Sequence, residues 1–328
     1  MNIGFANTNF KIRINSPIIS ENLSAGGWHL NKIGLTSTIL KSSINSKTIV
    51  IAVIDSGINL FHPDLQKHIY TNINEIPDNG IDDDNNGYVD DVHGYNFVNN
   101  NSNTNDDNGH GTHISGIIAG DCNPAAKTCG ILKNAKIMPL KFLSKEGMGD
   151  TNSAIAAINY AVKMKADIIN ASWGSEDSSP KLLEAITNAR NAGIMFVTAS
   201  GNYGNNNDIN PIYPANFNLV NIVSVAAIDE FSFLDDFSNF GSNTVHVAAP
   251  GKNILSTYLN SSYESLSGTS MATPIVTGII GLLMQYHPKS SYLEIKNALM
   301  KGCIENENLS DKVICRGRVN IINSLIKF

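Results

Sequence analysis

A beat of short β-branched apolar runs, separated by helical patterns, constrains this chain most. Residues 48–54 form a continuous run bounded by turn residues, which suits a strand buried on both faces. Residues 135–142, 168–172, 194–199, 222–227 and 245–248 read as further strands. Helical patterns fall between them: 114–119 continuing from His110, 151–165, 182–192 ended by Gly193, and 273–286 stopped by Pro288. The alternation predicts an α/β fold of three αβα layers, with helices on both faces of a doubly wound, mainly parallel sheet. In such a sheet ligands sit at the carboxyl ends of the strands. Asp55 follows one such end, and so does Ser200-Gly201-Asn202.

The 328 residues can bury a sizeable core. Net charge is −6, with no basic stripe, which argues against nucleic acid as a partner. No stretch of about eighteen apolar residues exists to span a membrane. Residues 1–10 show neither a basic start nor a continuous apolar core of the kind a secretory leader carries. Residues 75–121 are rich in Asp and contain no Lys or Arg, so that block either repels itself or is held by cations. An Asn tract at 99–108 reads as a surface loop.

The four cysteines fall into two close pairs, Cys122/Cys129 and Cys303/Cys315. Three connectivities are possible, and unpaired thiols remain an alternative; the local pairing closes two short loops. Two disulfides would imply an oxidising compartment.

Three blocks carry chemistry. Val53-Ile54-Asp55-Ser56-Gly57 closes the first apolar run. Asn108-Gly109-His110-Gly111-Thr112-His113 and Gly268-Thr269-Ser270-Met271-Ala272-Thr273-Pro274 follow far downstream. Asp, His and Ser are the side chains of a charge-stabilised serine nucleophile. Their order excludes the chymotrypsin and α/β-hydrolase arrangements, and Ser270 lacks the G-x-S-x-G elbow. Ser270 opens a helix pattern, whose free N–H groups and positive end suit a developing oxyanion. The imidazole of His110 is suited to take the serine proton and return it to a leaving group. His113 makes a His-x-x-His pair with it, but no H-E-x-x-H pattern accompanies them, and His113 reads as structural.

At these blocks, and at Ser200-Gly201-Asn202, the chain resembles the subtilisin-like serine proteases (subtilases, peptidase family S8). The likeness runs from about residue 28 to the C-terminus. It implies a fold of subtilisin type, with residues 1–27 as an N-terminal extension and 28–328 as the catalytic domain. It also implies a serine endopeptidase working through an acyl-enzyme. Asp55, His110 and Ser270 would be the triad and Asn202 the oxyanion donor. Gly147-Met148-Gly149 and Ser172-Trp173-Gly174 would flank an extended polypeptide substrate and pair with its backbone. Ile212 would floor the primary specificity pocket. An extension of this length is too short for the folded prodomain usual in the family. The expected enzyme is a monomer, secreted or held in the cell envelope.

The acidic insert, about 72–108, holds a second signal. Asp82, Asp84, Asn86, Tyr88 and Asp90 follow the D-x-[DN]-x-[DN]-G spacing of a Ca2+ loop, with Gly87 at the sharp turn. His93 stands where an EF-hand wants Glu, so Asp91 or Glu75 would have to complete the shell; a solvated acidic turn is the alternative. Asp64 matches a residue that helps bind calcium in secreted subtilisins, but the Cys122–Cys129 segment replaces the partner loop.

Three rivals compete with hydrolysis. A transpeptidase would need a domain that excludes water. A binding pseudo-protease would not need three intact triad residues. A calcium-dependent adhesion module leaves the triad unexplained.

Overall fold

The computed structural model describes residues 11–13, 18–19, 27–36, 39–40, 47–126 and 128–328. The readings of residues 1–10 as lacking a leader, and most of the extension 1–27, lie outside the described residues.

A nine-stranded sheet forms the middle layer. In chain order its strands are β3 (Ile49–Asp55), β4 (Tyr95–Asn96), β5 (Ala135–Lys141), β7 (Ile168–Ala171), β8 (Met195–Ala199), β9 (Ile222–Ile228), β10 (Val247–Pro250), β13 (Ile304–Glu305) and β14 (Gly317–Arg318). Their spatial order is β13-β14-β10-β9-β8-β7-β3-β5-β4. Every pairing in it is parallel except β13 with β14. β3 lies between β5 and β7, so the winding reverses there, and Asp55 sits at the carboxyl end of the strand where it reverses.

The β-branched composition of β3 follows from its position. Ile49, Ile51 and Val53 pack into one core, while Ala52 and Ile54 pack into the other. Alternate residues of a strand point to opposite faces, and both faces here are covered by helices. Burying each Ile contributes roughly 1.5–3 kcal/mol. On one face lie α2 (His110–Ala119), α5 (Thr269–Tyr286) and α6 (Tyr292–Lys301). On the other lie α3 (Thr151–Lys163) and α4 (Pro180–Asn191). Two short helices, α1 (Trp28–Lys32) and α7 (Ile321–Ile326), lie toward the ends of the described chain.

Local chemistry sets the helix ends. Asp150 accepts from the N–H groups of Asn152 and Ser153 at the start of α3. Ser179 caps α4, with Pro180 in the first turn. α6 opens with a capping box between Ser291 and Glu294. α5 begins at Thr269, behind Gly268 and one residue before the Ser270 start that the sequence suggested, with Thr269 and Ser270 both buried.

Two smaller sheets border the top of the fold. β11 (Ile254–Thr257) and β12 (Tyr263–Ser267) pair antiparallel, and β12 also pairs with β2 (Ile18–Ile19). β6 (Met148–Asp150) pairs antiparallel with β1 (Lys11–Arg13). Cys122 is disulfide-bonded to Cys129, and Cys303 to Cys315, the local pairing.

Candidate active site

β3 delivers Asp55 to the sheet's end fully buried. Its Oδ1 accepts from Nδ1 of His110 at 2.8 Å and from the Ser56 N–H at 2.7 Å. A carboxylate only accepts, so Nδ1 carries the proton and the neutral imidazole keeps Nε2 as an acceptor. That Nε2 is buried with no hydrogen-bond partner among the described residues. His110 opens α2 behind Gly109, which has φ 102°. A Cβ on Gly109 would fall 2.4 Å from the Tyr258 ring, and one on Gly111 would fall 2.2 Å from the Gly57 carbonyl oxygen. Only glycine lets the imidazole approach the β3 end this closely.

Ser270, the second residue of α5, donates its hydroxyl to the Ser172 carbonyl oxygen at 3.1 Å. The Ser172 hydroxyl in turn donates to the Ser270 carbonyl oxygen at 3.0 Å. His113 lies one turn along α2 from His110. Its Nε2 lies 3.0 Å from the carbonyl oxygens of both Ile254 and Glu264, and burial pushes its pKa down to about 3. A neutral ring donating to backbone is a structural histidine.

The Asn202 Oδ1 accepts from the Thr269 N–H at 2.9 Å and from the Thr269 hydroxyl at 2.8 Å. Those bonds fix the amide so that Nδ2 points the other way. A Cβ on Gly268 would stand 3.2 Å from Asn202 Nδ2 and 3.6 Å from the Ser270 backbone nitrogen. Both nitrogens therefore border the space that Gly268 keeps open. Thr269 holds the Asn202 amide, a contact to which the motif reading gave no role. Its signal was its place directly before the serine.

Gly147, Met148 and Gly149 lead into or lie on β6, whose free edge takes β1: Ile12 pairs with Gly149 and Arg13 with Met148. Ser172, Trp173 and Gly174 leave the end of β7. Trp173 presents only backbone to the cleft. Its side chain is fully buried, packs on Phe142 and donates from Nε1 to the Ile54 carbonyl oxygen at 2.8 Å. Ile212 is buried against Gly174, where a Cβ would come 2.9 Å from its Cγ2.

In the acidic insert, oxygens of Glu75, Asp82 and Asp84 lie within 4.8 Å of one another. Glu75 is buried, and its Oε2 has no hydrogen-bond partner among the described residues. Asp82 accepts from the N–H groups of Asn86 and Gly87, with Gly87 at φ 94°. The side chains of the other residues of the spacing pattern have protein partners, and the spacing enlists Tyr88 through its carbonyl rather than its ring. Asn86 Oδ1 accepts from the Tyr88 N–H, and its Nδ2 donates to Asp91. Asp90 accepts from the N–H groups of Asn79 and Gly80. The Tyr88 ring packs among Tyr95, Phe97 and Tyr160. The Asp91 carboxyl is buried and takes hydrogen bonds from Asn72, Asn86 and Tyr160, and burial raises its pKa. Asp64 is committed to the Tyr263 hydroxyl at 2.7 Å.

Comparison with known proteins agrees with this geometry. The sequence profile of the Subtilase family (Peptidase_S8) matches residues 46–313. The chain belongs to the subtilase family. It is 32% identical over 317 residues to Subtilisin-like protease 1 of Plasmodium berghei (strain Anka), an alignment covering 91% of this chain and 53% of that protein. It is 35% identical over 298 residues to the Minor extracellular protease Epr of Bacillus subtilis (strain 168), covering 91% of this chain and 41% of Epr. A cold-adapted subtilisin-like serine proteinase of known crystal structure superposes with a TM-score of 0.68 at 29% identity, covering 90% of this chain and 97% of that one. This subtilase thus has the three-layer subtilisin fold, and it spans about half the length, or less, of these curated relatives. No helix among the described residues is long and apolar enough to cross a membrane.

Proposed function

We propose that this subtilase is a serine endopeptidase with Asp55, His110 and Ser270 as its triad. The carrying observation is the buried Asp55–His110 hydrogen bond, which leaves Nε2 as an unpartnered acceptor at the sheet's ligand end. In the reaction, Ser270 swings from the Ser172 carbonyl and gives its proton to Nε2 as Oγ bonds to the scissile carbonyl carbon. Asn202 Nδ2 and the Ser270 N–H take the oxyanion. His110 returns the proton to the leaving amine, and water releases the acyl group by the same steps in reverse order. Asp55 holds the ring in one tautomer and stabilises its cation. Labelling with a fluorophosphonate probe, wild type beside Ser270→Ala, tests this. Labelling of wild type alone supports it, and equal labelling or none overturns it.

Backbone pairing along β6 and the segment after β7 would hold the polypeptide substrate, with Ile212 limiting the pocket to moderate, uncharged side chains. Residues 28–328 form the catalytic domain on this reading. The extension acts as a ligand of its own cleft: β1 adds antiparallel to β6, and β2 adds to β12, the strand leading into Gly268–Ser270. Cleavage of fluorescent casein by full-length wild type, and faster cleavage by Ile12→Pro, would support both readings.

The insert fits a divalent cation, because three carboxylates converge and one buried oxygen has nothing to bind. Glu75, Asp82 and Asp84 would hold Ca2+, and the bound ion would screen their repulsion and brace the loop. Two disulfides and the extracellular relative favour a secreted or envelope enzyme.

A further inference from the structure

We infer that Asp106 is a positioning residue of the triad, fastening both partners of the Asp55–His110 hydrogen bond at once. The inference deepens the endopeptidase reading and rests on it.

The need arises from Gly109. The first turn of a helix has N–H groups that a capping side chain usually satisfies. Here the cap must be glycine, because Tyr258 and a φ of 102° leave no room for a side chain. Three neighbours supply what Gly109 cannot. Asn108 Oδ1 takes the His110 N–H at 3.2 Å, and Ser56 Oγ takes the Gly111 N–H at 2.9 Å. Asp106 Oδ2 takes the Thr112 N–H at 2.9 Å and the Thr112 hydroxyl at 2.6 Å.

The other oxygen of Asp106 reaches the opposite side. Oδ1 accepts from the Ser56 hydroxyl at 2.8 Å, and also from the N–H groups of Asn108 at 3.0 Å and Gly109 at 2.9 Å. Ser56 follows Asp55 directly and donates its own N–H to the Asp55 carboxylate. One carboxylate, only 4% exposed, therefore binds both the turn that aims Asp55 and the turn that aims His110. Its own backbone is clamped too: the Asp106 N–H donates to the Ile58 carbonyl oxygen at 3.1 Å, and the Ile58 N–H to that of Thr104 at 3.0 Å. Gly57 permits that contact, since a Cβ there would fall 2.4 Å from the Thr104 oxygen.

All five contacts donate to Asp106, so an acceptor-only group is required. An amide in its place must turn an N–H2 toward an N–H that can only donate, that of Thr112 in one flip or those of Asn108 and Gly109 in the other. Asp107, next in sequence, makes none of these contacts; half exposed, it pairs with Lys141. It is the control.

The experiment measures the maximal inactivation rate and the half-saturating concentration for a fluorophosphonate probe, on full-length protein, with melting temperatures recorded. A misaimed base costs rate without costing binding. Asp106→Asn should lower the maximal rate about 10- to 100-fold and leave half-saturation within about two-fold, while Asp107→Asn keeps both near wild type. An Asp106→Asn rate within about two-fold of wild type overturns the inference, as does a loss confined to half-saturation or an equal loss in Asp107→Asn. Should Asp106→Asn fail to fold, Ser56→Ala decides: about a five-fold or greater rate loss at constant half-saturation supports the role, and no loss overturns it. Failure of wild type itself to label overturns the endopeptidase reading instead, and the positioning role falls with it.

Discussion

The triad cleft and the acidic insert both gather buried carboxylates, but by opposite means. The cleft joins residues far apart in sequence: His110 to Asp55 across 55 positions, Thr269 to Asn202 across 67, Ser270 to Ser172 across 98. The sheet and helices hold them, and among the described residues two buried polar atoms are left unpartnered there, Asp55 Oδ2 and His110 Nε2, the second being the one the proposed reaction uses. The insert's carboxylates are wired mostly locally, Asp82 to Asn86 across 4 positions, Glu75 to Asp84 across 9 and Asn72 to Asp91 across 19, with Tyr160 and Lys163 of α3 tying Asp91 and Asn86 to the fold. Its leftover atom, Glu75 Oε2, sits among like charges. A site held by the fold can lose a side chain and keep its shape, whereas a loop held by its own carboxylates depends on what neutralises them.

The sharpest way to break the comparison is Ser270→Ala. Peptide hydrolysis should fall by roughly a millionfold, as expected when a triad nucleophile is removed. The melting temperature should stay close to wild type, because the residue's lost hydroxyl served only the Ser172 carbonyl. Large unfolding would place the triad on the insert's side of the contrast. Asn202→Ala comes next. Loss of one oxyanion donor should lower kcat on the order of 10²- to 10³-fold with KM nearly constant. A rise in KM instead would assign Asn202 to substrate binding.

Acid sharpens the contrast through stability. His29 and His113 are buried neutral, with pKa values lowered by burial to about 4 and about 3. The unfolded chain binds more protons than the fold once pH drops below the ordinary histidine value near 6.5. Their stabilisation is therefore complete above that value and is lost as pH falls toward 4 and 3, at about 1.4 kcal/mol per pH unit for each ring. Melting temperature measured in chelator should fall steadily from pH 7 to pH 4. A flat profile would mean that these rings are charged in the fold.

Chelation addresses the insert directly. Removing Ca2+ should lower the melting temperature by several degrees, on the order of a few kcal/mol for one lost ion. It should leave the probe-labelling rate at low temperature near its starting value. Glu75→Gln should weaken the response to calcium. An unchanged melting temperature would return the insert to a solvated acidic turn.

The contrast also governs how much was legible in the sequence. Parallel strands covered on both faces are written as continuous β-branched runs, so β3, β5, β7, β8 and β9 stood out, and β10 was displaced by two residues. The β11–β12 pair and α6 went unread, because a half-exposed edge and a capping box carry no such run. The proposed triad residues stood out in the sequence by the glycines beside them, at 57, 109, 111 and 268, where the structure leaves little or no room for a Cβ. Thr269 and Asp106 did not, since a threonine or aspartate beside a turn is ordinary until the fold shows what it binds. The calcium spacing singled out Asp82 and Asp84, and the missing twelfth-position Glu pointed to Glu75 or Asp91 as the completing carboxylate without deciding between them. Loop backbone turned Asp90 and Asn86 to other partners, which spacing alone cannot register.

The smallest effect expected is at the extension, where the two kinds of wiring meet. Among the described residues β1 is joined to the cleft by backbone pairing with β6 at Lys11, Ile12 and Arg13. Proline at residue 12 removes an N–H and fixes φ, so it weakens a short edge pairing without touching the catalytic residues. A net hydrogen bond contributes about 1 kcal/mol, so Ile12→Pro should speed cleavage of fluorescent casein only about three- to ten-fold. The gain should appear in the apparent KM, since a self-ligand competes with substrate for the same edge. A change in kcat at constant KM would mean that β1 acts on the triad rather than on the strand that receives the peptide. No change in either would mean that β6 receives substrate without first losing β1.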